Sequence, residues 1–459
     1  MIEGLKPYAE YKESGLPWLG RCPKHWNVRR TKILFHERVQ KGFPNEPLLA
    51  ATQTKGVVKK EDYETRTVTA QKDLHLLKLV EVGDYVISLR SFQGGIEVAH
   101  CRGIISPAYT VLKPQKQAVS RYYSHFFKAK PFIDSLSLFV TGIREGQNID
   151  YERLSRAEMP MPPEEEQAAI VRFLDHANRK IDGFIRAKRK LIGLLNEQKQ
   201  AIIQRAVTRG LHPDVPLKPS GIPWLGGIPK HWEARRVKQA TRILRGKFSH
   251  RPRNDPSFYN GPYPFIQTGA VAQADKFITC YKQTLNEKGL SVSKLFPSGT
   301  LVMTIAANIG DVAILTFQAC FPDSIVGFVP ASKLDRDYLY FVFRCMKGEL
   351  LREAPVNTQG NLNVERIGTM WMPLPPLSEQ EQITKYIENE TTPFDTAIAR
   401  TEREIALMQE YRTRLTADLV TGKLDVREAA AHLPAPPSDA VTESTGEEPL
   451  EDIETEETA

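Results

Sequence analysis

The sequence predicts an α+β protein: two globular α/β modules separated by two long antiparallel coiled-coil helices, related by an internal pseudo-twofold repeat. Three observations carry this. A tryptophan-rich segment occurs twice, a proline-led helix start occurs twice, and the stretches between them read as strands yet differ from each other.

Residues 14–30 read SGLPWLGRCPKHWNVRR and residues 220–236 read SGIPWLGGIPKHWEARR, identical at 12 of 17 positions with no gap. A second match joins residues 144–208 to 357–421, clearest in MPMPPEEEQAAI (159–170) against MPLPPLSEQEQI (372–383). Asn148, Gln167, Ile170, Asp182, Val207 and Thr208 return as Asn361, Gln380, Ile383, Asp395, Val420 and Thr421. The inserts, residues 31–143 and 237–356, share little beyond strand-like texture. Matching frames around unlike inserts indicate one scaffold used twice with two specificities.

Each helix follows MPxPP. The prolines end an extended segment, and Glu164, Glu165 and Glu166 sit where a helix N-terminus favours negative charge. In the second copy Ser378 is placed to cap, with Glu379 and Glu381 in the first turn. Ile170, Leu174, Ala177, Ile181, Phe184, Leu191, Leu195 and Ile202 fall at the alternating spacing of a coiled-coil seam. Ile383, Ile387, Phe394, Ala397, Met408, Tyr411 and Leu415 repeat it. Pro393 marks a kink or a delayed start, and Gly210 and Gly422 mark the ends. A 45-residue helix is about 67 Å long at ~1.5 Å per residue and needs a partner for its stripe. The other copy, packed antiparallel, is the expected partner; the alternative is that each packs on its own domain.

Trp18, Trp26, Trp224 and Trp232 stand among prolines. Such pairs can stack bases, but more often clasp the chain against a domain, and the clasp is the reading adopted. Arg29-Arg30 and Arg235-Arg236 suit phosphate or a solvated face equally.

Both inserts alternate apolar and polar residues between glycine turns, as in VGDYVISLRSFQGGIEVAH and SGTLVMTIAANIGDVAILTF. A helical stretch follows each. Base-contact candidates are polar and basic loop residues: Thr52, Gln53, Thr54, Arg90, Ser91, Gln93, Arg144 and Gln147 in the first copy. In the second they are Lys247, Arg251, Arg253, Gln267, Thr268, Asn308, Thr358, Gln359 and Asn361. Arginine pairs with guanine and Asn or Gln with adenine in the major groove, whereas a surface turn would hold the same residues for structural reasons. Asn148 and Asn361 recur and are therefore read as structural. The expected divisions are 1–158 and 211–371 for the modules, 159–210 and 372–425 for the helical segments, and 426–459 for an acidic disordered tail.

The net charge of +7 conceals a split. Residues 434–459 hold nine acids and no Lys or Arg, leaving 62 basic and 46 acidic residues in the body. A basic body suits a polyphosphate partner. The five cysteines lack CxxC spacing, so neither a disulfide framework nor a zinc site is indicated. There is no bilayer-length apolar run and no signal pattern, so the expectation is a cytoplasmic protein without membrane contact. Phosphate-loop, HExxH and GxSxG signatures are missing. NDPSF (254–258) only approaches the Asn-Pro-Pro-aromatic motif of amino-methyltransferases. No catalytic residue and no metal ligand are therefore assigned.

In combination, the duplicated SG[LI]PWLGxxPKHW segments, the duplicated MPxPPxxEQxxI helix starts and GDYVISLRSFQGGI…GIISPAYTVLKP resemble the specificity subunit of type I restriction–modification enzymes over residues 8–425. PFIQTGAV (264–271) and LLAATQTKGVV (48–58) resemble the family's early recognition segment. The resemblance implies that each module is a target recognition domain reading one half of a bipartite, asymmetric site in double-stranded DNA. The helices would set the gap and dock two methyltransferase subunits. It implies no cofactor in this chain: S-adenosylmethionine belongs to the methyltransferase partner, and ATP and Mg to a restriction partner. The acidic tail lies outside the family pattern. Two rival readings are a coiled-coil adaptor whose inserts bind protein, and an enzyme whose site carries no familiar motif.

Overall fold

A computed structural model describes residues 5–62, 73–115, 117–141, 148–250, 252–306, 308–353 and 362–434. The chain divides into two compact units, residues 1–186 with 405–459 and residues 187–404. The division cuts both long helices, Glu164–Arg209 and Leu377–Val420, so each unit holds a part of each.

The first unit is built on a four-stranded antiparallel sheet in the order Phe35–Glu37, Thr110–Pro114, Tyr85–Ile87, Glu97–Val98. Strand alternation sorts its side chains between two cores. Tyr85, Ile87 and Leu112 join an aromatic core with Tyr122, Tyr123, Phe126 and Phe127. Val86 and Val111 face the other way, onto Leu49, Val57, Val80 and Ile105. The aromatic residues lie on and just beyond the helix Gln117–Phe126, so the tyrosine- and phenylalanine-rich stretch after the insert serves as packing.

The second unit has a five-stranded sheet: Thr241–Arg245, Ile325–Pro330, Leu301–Thr304, Val312–Leu315 and Phe277–Ile278. Its helix Arg336–Glu353 packs Tyr338, Leu339, Val342, Phe343 and Met346 against Leu301, Met303, Ile314, Val326 and Phe328. Val302, Ala313, Leu315 and Ile325 face a second core. A further four-stranded sheet, Gln283–Leu285, Tyr259–Phe265, Ala319–Cys320 and Leu295–Phe296, has no counterpart of that size among the described residues of the first unit.

The frames are the same in both units. Asn27–Arg30 pairs with Glu158–Met161, and Glu233–Arg236 pairs with Trp371–Leu374, so the two ends of each module meet just before its helix. The tryptophans clasp, as expected. Trp26 is fully buried and its Nε1 donates to Glu166 at 2.8 Å; Trp232 is fully buried and donates to Glu379 at 2.8 Å. His25 and His231 approach the same carboxylates at 2.7 Å. Lys12 and Lys218 donate to the carbonyls of Trp26 and Trp232 at 2.5 and 2.6 Å. The indoles also close on the helix ends: a Cβ on Gly422 would lie 3.0 Å from Trp26, and one on Gly210 3.1 Å from Trp232. Both glycines have positive φ, 75° and 71°, and end their helices. Each clasp therefore ties the start of one long helix to the end of the other. Asp425 N–H donates to the Lys6 carbonyl at 2.7 Å, joining the two ends of the described chain in the first unit.

The long helices pair antiparallel within each unit. Leu415, Leu419 and Val420 share a core with Ile170, Leu174 and Ala177 in the first, where Arg412 also pairs with Asp182. In the second, Lys188 pairs with Glu404 at 2.6 Å, and Lys199 pairs with Asp395. The expected seam holds at Ile170, Leu174, Ala177 and Ile181 and then drifts. Ile185 is buried while Phe184 is exposed, Leu191 is exposed, and Ile203 is more deeply buried than Ile202. A helix of 3.6 residues per turn walks off a strict 3.5-residue repeat by about 20° per heptad. In the second helix Ile383, Ile387 and Leu415 are buried, Phe394, Ala397 and Met408 half-buried, and Tyr411 exposed. That helix is continuous through Pro393 and begins at Leu377, which places Ser378 inside its first turn and not at the cap.

Candidate nucleic-acid interface

In the first unit two turns carry the candidates. The hairpin Leu49–Thr52 and Gly56–Lys59 closes on Thr52, whose buried hydroxyl donates to the Gly56 carbonyl and accepts from Lys55 N–H, both at 2.9 Å. Thr52 shapes the turn, and Gln53, Thr54 and Lys55 project from it, exposed. The second turn follows Tyr85–Ile87. Buried Ser91 accepts from Ser88 N–H at 2.8 Å, leaving Arg90 and Gln93 exposed. It ends on Gly95, at φ 85°, where a Cβ would meet the Phe127 carbonyl at 2.2 Å.

Lys128 binds the two turns together. Its ammonium donates to the Gln53 carbonyl at 3.0 Å and the Gly94 carbonyl at 2.9 Å, and pairs with buried Glu97. Burial pushes the Glu97 carboxyl above the usual carboxylate range, and the Lys128 ammonium pulls it down. No motif marks this brace, because its partners are two backbone carbonyls and an acid 31 residues away. Lys128→Met is expected to cost about 3 kcal/mol by orphaning a buried charge. A carboxyl raised in the folded state favours folding when protonated, so its contribution falls as pH rises above the ordinary carboxylate range. The melting-temperature gap between variant and wild type should therefore be widest at pH 8 and shrink toward pH 5. An unchanging gap would remove Glu97 from the account.

In the second unit Asn308 is exposed on the matching turn, between Leu301–Thr304 and Val312–Leu315. Thr304 hydroxyl donates to the Asn308 carbonyl, and Gly310, also at φ 85°, ends the turn. Gln93 and Asn308 thus each stand two residues before a left-handed glycine. Lys347 pairs with Asp311 beside the turn at 2.5 Å. The segment Cys320–Asp323 gathers other candidates. Ile266 N–H, just before Gln267, donates to Cys320 and Lys247 N–H to Phe321, while Arg253 pairs with Asp323. Lys247, Arg253 and Gln267 are exposed. Gln267 donates to Gln283 at 2.5 Å, and Thr268 opens a short helix. Arg253 also lines a polar cleft of about 570 Å³ with Arg245, Ala306, Ser324 and Asn363, of which sequence reasoning found only Arg253. Arg144, Gln147, Arg251, Thr358, Gln359 and Asn361 lie outside the described residues.

No helix among the described residues is long and apolar enough to cross a membrane. Each unit thus carries its own, unlike loop cluster on a duplicated frame. Residues 229–406 match the family model for the type I restriction modification DNA specificity domain. The chain is 22% identical over 434 residues to a putative type I restriction enzyme MjaX specificity subunit of Methanocaldococcus jannaschii, covering 89% of this chain and 96% of that one. It is 23% identical over 344 residues to the MjaVIII specificity subunit of the same organism, covering 71% and 75%. Its fold matches a chain from a structure described as the basis of complex assembly and conformational transition of the type I R-M system. There the TM-score is 0.62 at 15% identity, over 87% of this chain and 98% of that one. Along most of its length the chain is thus similar to specificity subunits of type I restriction enzymes.

Proposed function

We propose that this chain is the DNA-reading subunit of a type I restriction–modification complex, each recognition domain contacting one half of a bipartite, asymmetric site. The observation that carries the reading is the contrast inside the repeat. The clasps at Trp26 and Trp232 share their glutamate, histidine and lysine bonds, while the exposed loops differ in sequence and sheet context. A duplicated binder of one half-site would keep its loops. The functional divisions are residues 1–158 and 211–371 for the readers, 159–210 and 372–425 for the helical spacers, and 426–459 for the tail.

The chain performs no catalysis in this reading. It positions two methyltransferase subunits, which supply S-adenosylmethionine, and restriction subunits, which supply ATP and Mg, all in the cytoplasm. Exposed apolar residues on the long helices support docking: Leu191 and Leu194 in the second unit, and Leu407 and Tyr411 in the first. Arg90, Gln93, Lys247, Arg253 and Asn308 are the leading base or phosphate contacts. Replacing residues 31–143 with the insert of another specificity subunit is expected to change one half-site and leave the other untouched. Methylation-site sequencing with the assembled complex reads this directly, and a change in both halves would overturn modular reading.

A further inference from the structure

The first long helix carries a basic stripe within the first unit. Arg172, Arg179 and Arg186 recur at seven-residue spacing, all exposed, with Lys180 beside them. The acids that flank the stripe are engaged elsewhere: Asp175 with Arg121 and His125, and Asp182 with Arg412. Among the described residues, Arg179, Lys180 and Arg186 have no ion-pair partner. Burial, then the charges of Lys180 and Arg179, hold His176 below its ordinary value, as expected in a positive field.

The chain after the second helix is led to this stripe. Val426 and Ala430 are buried in the first unit's core, and the Arg172 guanidinium donates to the carbonyls of Leu433 and Pro434 at 2.5 and 3.3 Å. The sequence from Pro434 onward holds nine acids and no Lys or Arg. The stripe from Arg172 to Arg186 is about 21 Å long at ~1.5 Å per residue. About seven extended residues cover that distance, and 25 follow Pro434. We propose that the acidic segment after Pro434 seats along the arginine stripe and shields it from other polyanions. Each exposed pair is weak, but tethering at Arg172 places the acids at a high effective concentration.

Carbodiimide coupling of the full chain, read by mass spectrometry, tests the seat without DNA and so independently of the function assigned to the loops. At 50 mM NaCl, Lys180 is expected to join tail carboxylates at least fivefold more often than other exposed lysines do. Coupling should fall severalfold at 500 mM NaCl and in Arg179→Gln/Arg186→Gln, which break no ion pair among the described residues. Coupling spread evenly over surface lysines, or found between isotopically light and heavy copies, would overturn the proposal. As a second readout, deleting residues 435–459 should tighten binding of non-specific duplex several-fold in the wild-type background and leave it unchanged in Arg179→Gln/Arg186→Gln. An equal gain in both backgrounds would mean that the tail acts through net charge alone, and the seat would be abandoned.

Discussion

Removing seven residues from the first long helix alone, between Lys188 and Lys199, is expected to abolish sequence-specific DNA binding by the assembled complex. The loss should exceed 100-fold. The reason is the antiparallel register: as the residue number rises from Lys188 to Lys199 on one helix, the partner falls from Glu404 to Asp395 on the other. Shortening one strand of that ladder shifts every later pair by about 10 Å at ~1.5 Å per residue. It also separates the largely buried Lys199 ammonium from its only ion-pair partner among the described residues, which carries a further penalty. Removing seven residues from both helices in register keeps the ladder. That variant should bind a site whose gap is shorter by about three base pairs, taking ~3.4 Å per pair. An unchanged gap after the paired deletion would mean that the helices do not set it.

Trp26→Ala is expected to destabilise the first unit by about 3–5 kcal/mol, the range for truncating a fully buried aromatic residue. The indole fills space against Gly422 and donates to Glu166, which is almost wholly enclosed. Trp26→Phe separates the two contributions, retaining most of the bulk and removing the donor. Its cost should be about 1–3 kcal/mol, as for a buried acceptor losing one partner. The second clasp predicts a smaller effect for Trp232→Phe, because the Glu379 side chain is 31% exposed against 3% for Glu166 and can turn to water. Glu166 also accepts from the Tyr8 hydroxyl, which burial and Glu166 itself push far above the usual phenol range, so it stays a donor at any working pH. Hydrogen exchange resolved by peptide is the measurement, because it assigns the loss to one unit. Equal protection losses from Trp26→Phe and Trp232→Phe would contradict the exposure argument.

Much of this architecture was legible in the sequence for a physical reason. The frame residues are fixed by bonds that repeat. Trp26 with Glu166 and Trp232 with Glu379 need the same spacing twice, so duplication left a readable signal. The side-chain amides of Gln167 and Gln380 donate to Pro162 and Pro375 at 2.8 Å in both copies, and that accounts for their recurrence. The long helices were readable in extent, but their buried faces were only partly so. The first and last turns of each pack on a module, whereas the middle turns are held by ion pairs that a hydrophobic pattern cannot reveal.

The reading loops were the least legible part. Thr52 and Ser91 have the composition of contact residues, yet their hydroxyls are spent on turn geometry. Lys128 and Arg245 sit in stretches with no loop signature, and only the fold brings them to the turns or the cleft. A motif records chemistry between neighbours in sequence, and these partners meet only through the sheet.

The meeting of Asp425 with Lys6 bears on how the protein is made. The second unit is contiguous, residues 187–404, and holds all its core residues once that stretch has been synthesised. The first unit is not. Its core includes Leu415, Leu419, Val420 and Val426, which leave the ribosome after the whole of the second unit. At about 5–20 residues per second, the opening 186 residues wait tens of seconds for these side chains. The earlier-made unit is thus the later to finish, and a ribosome that stops before residue 415 releases a chain whose first aromatic core lacks one wall.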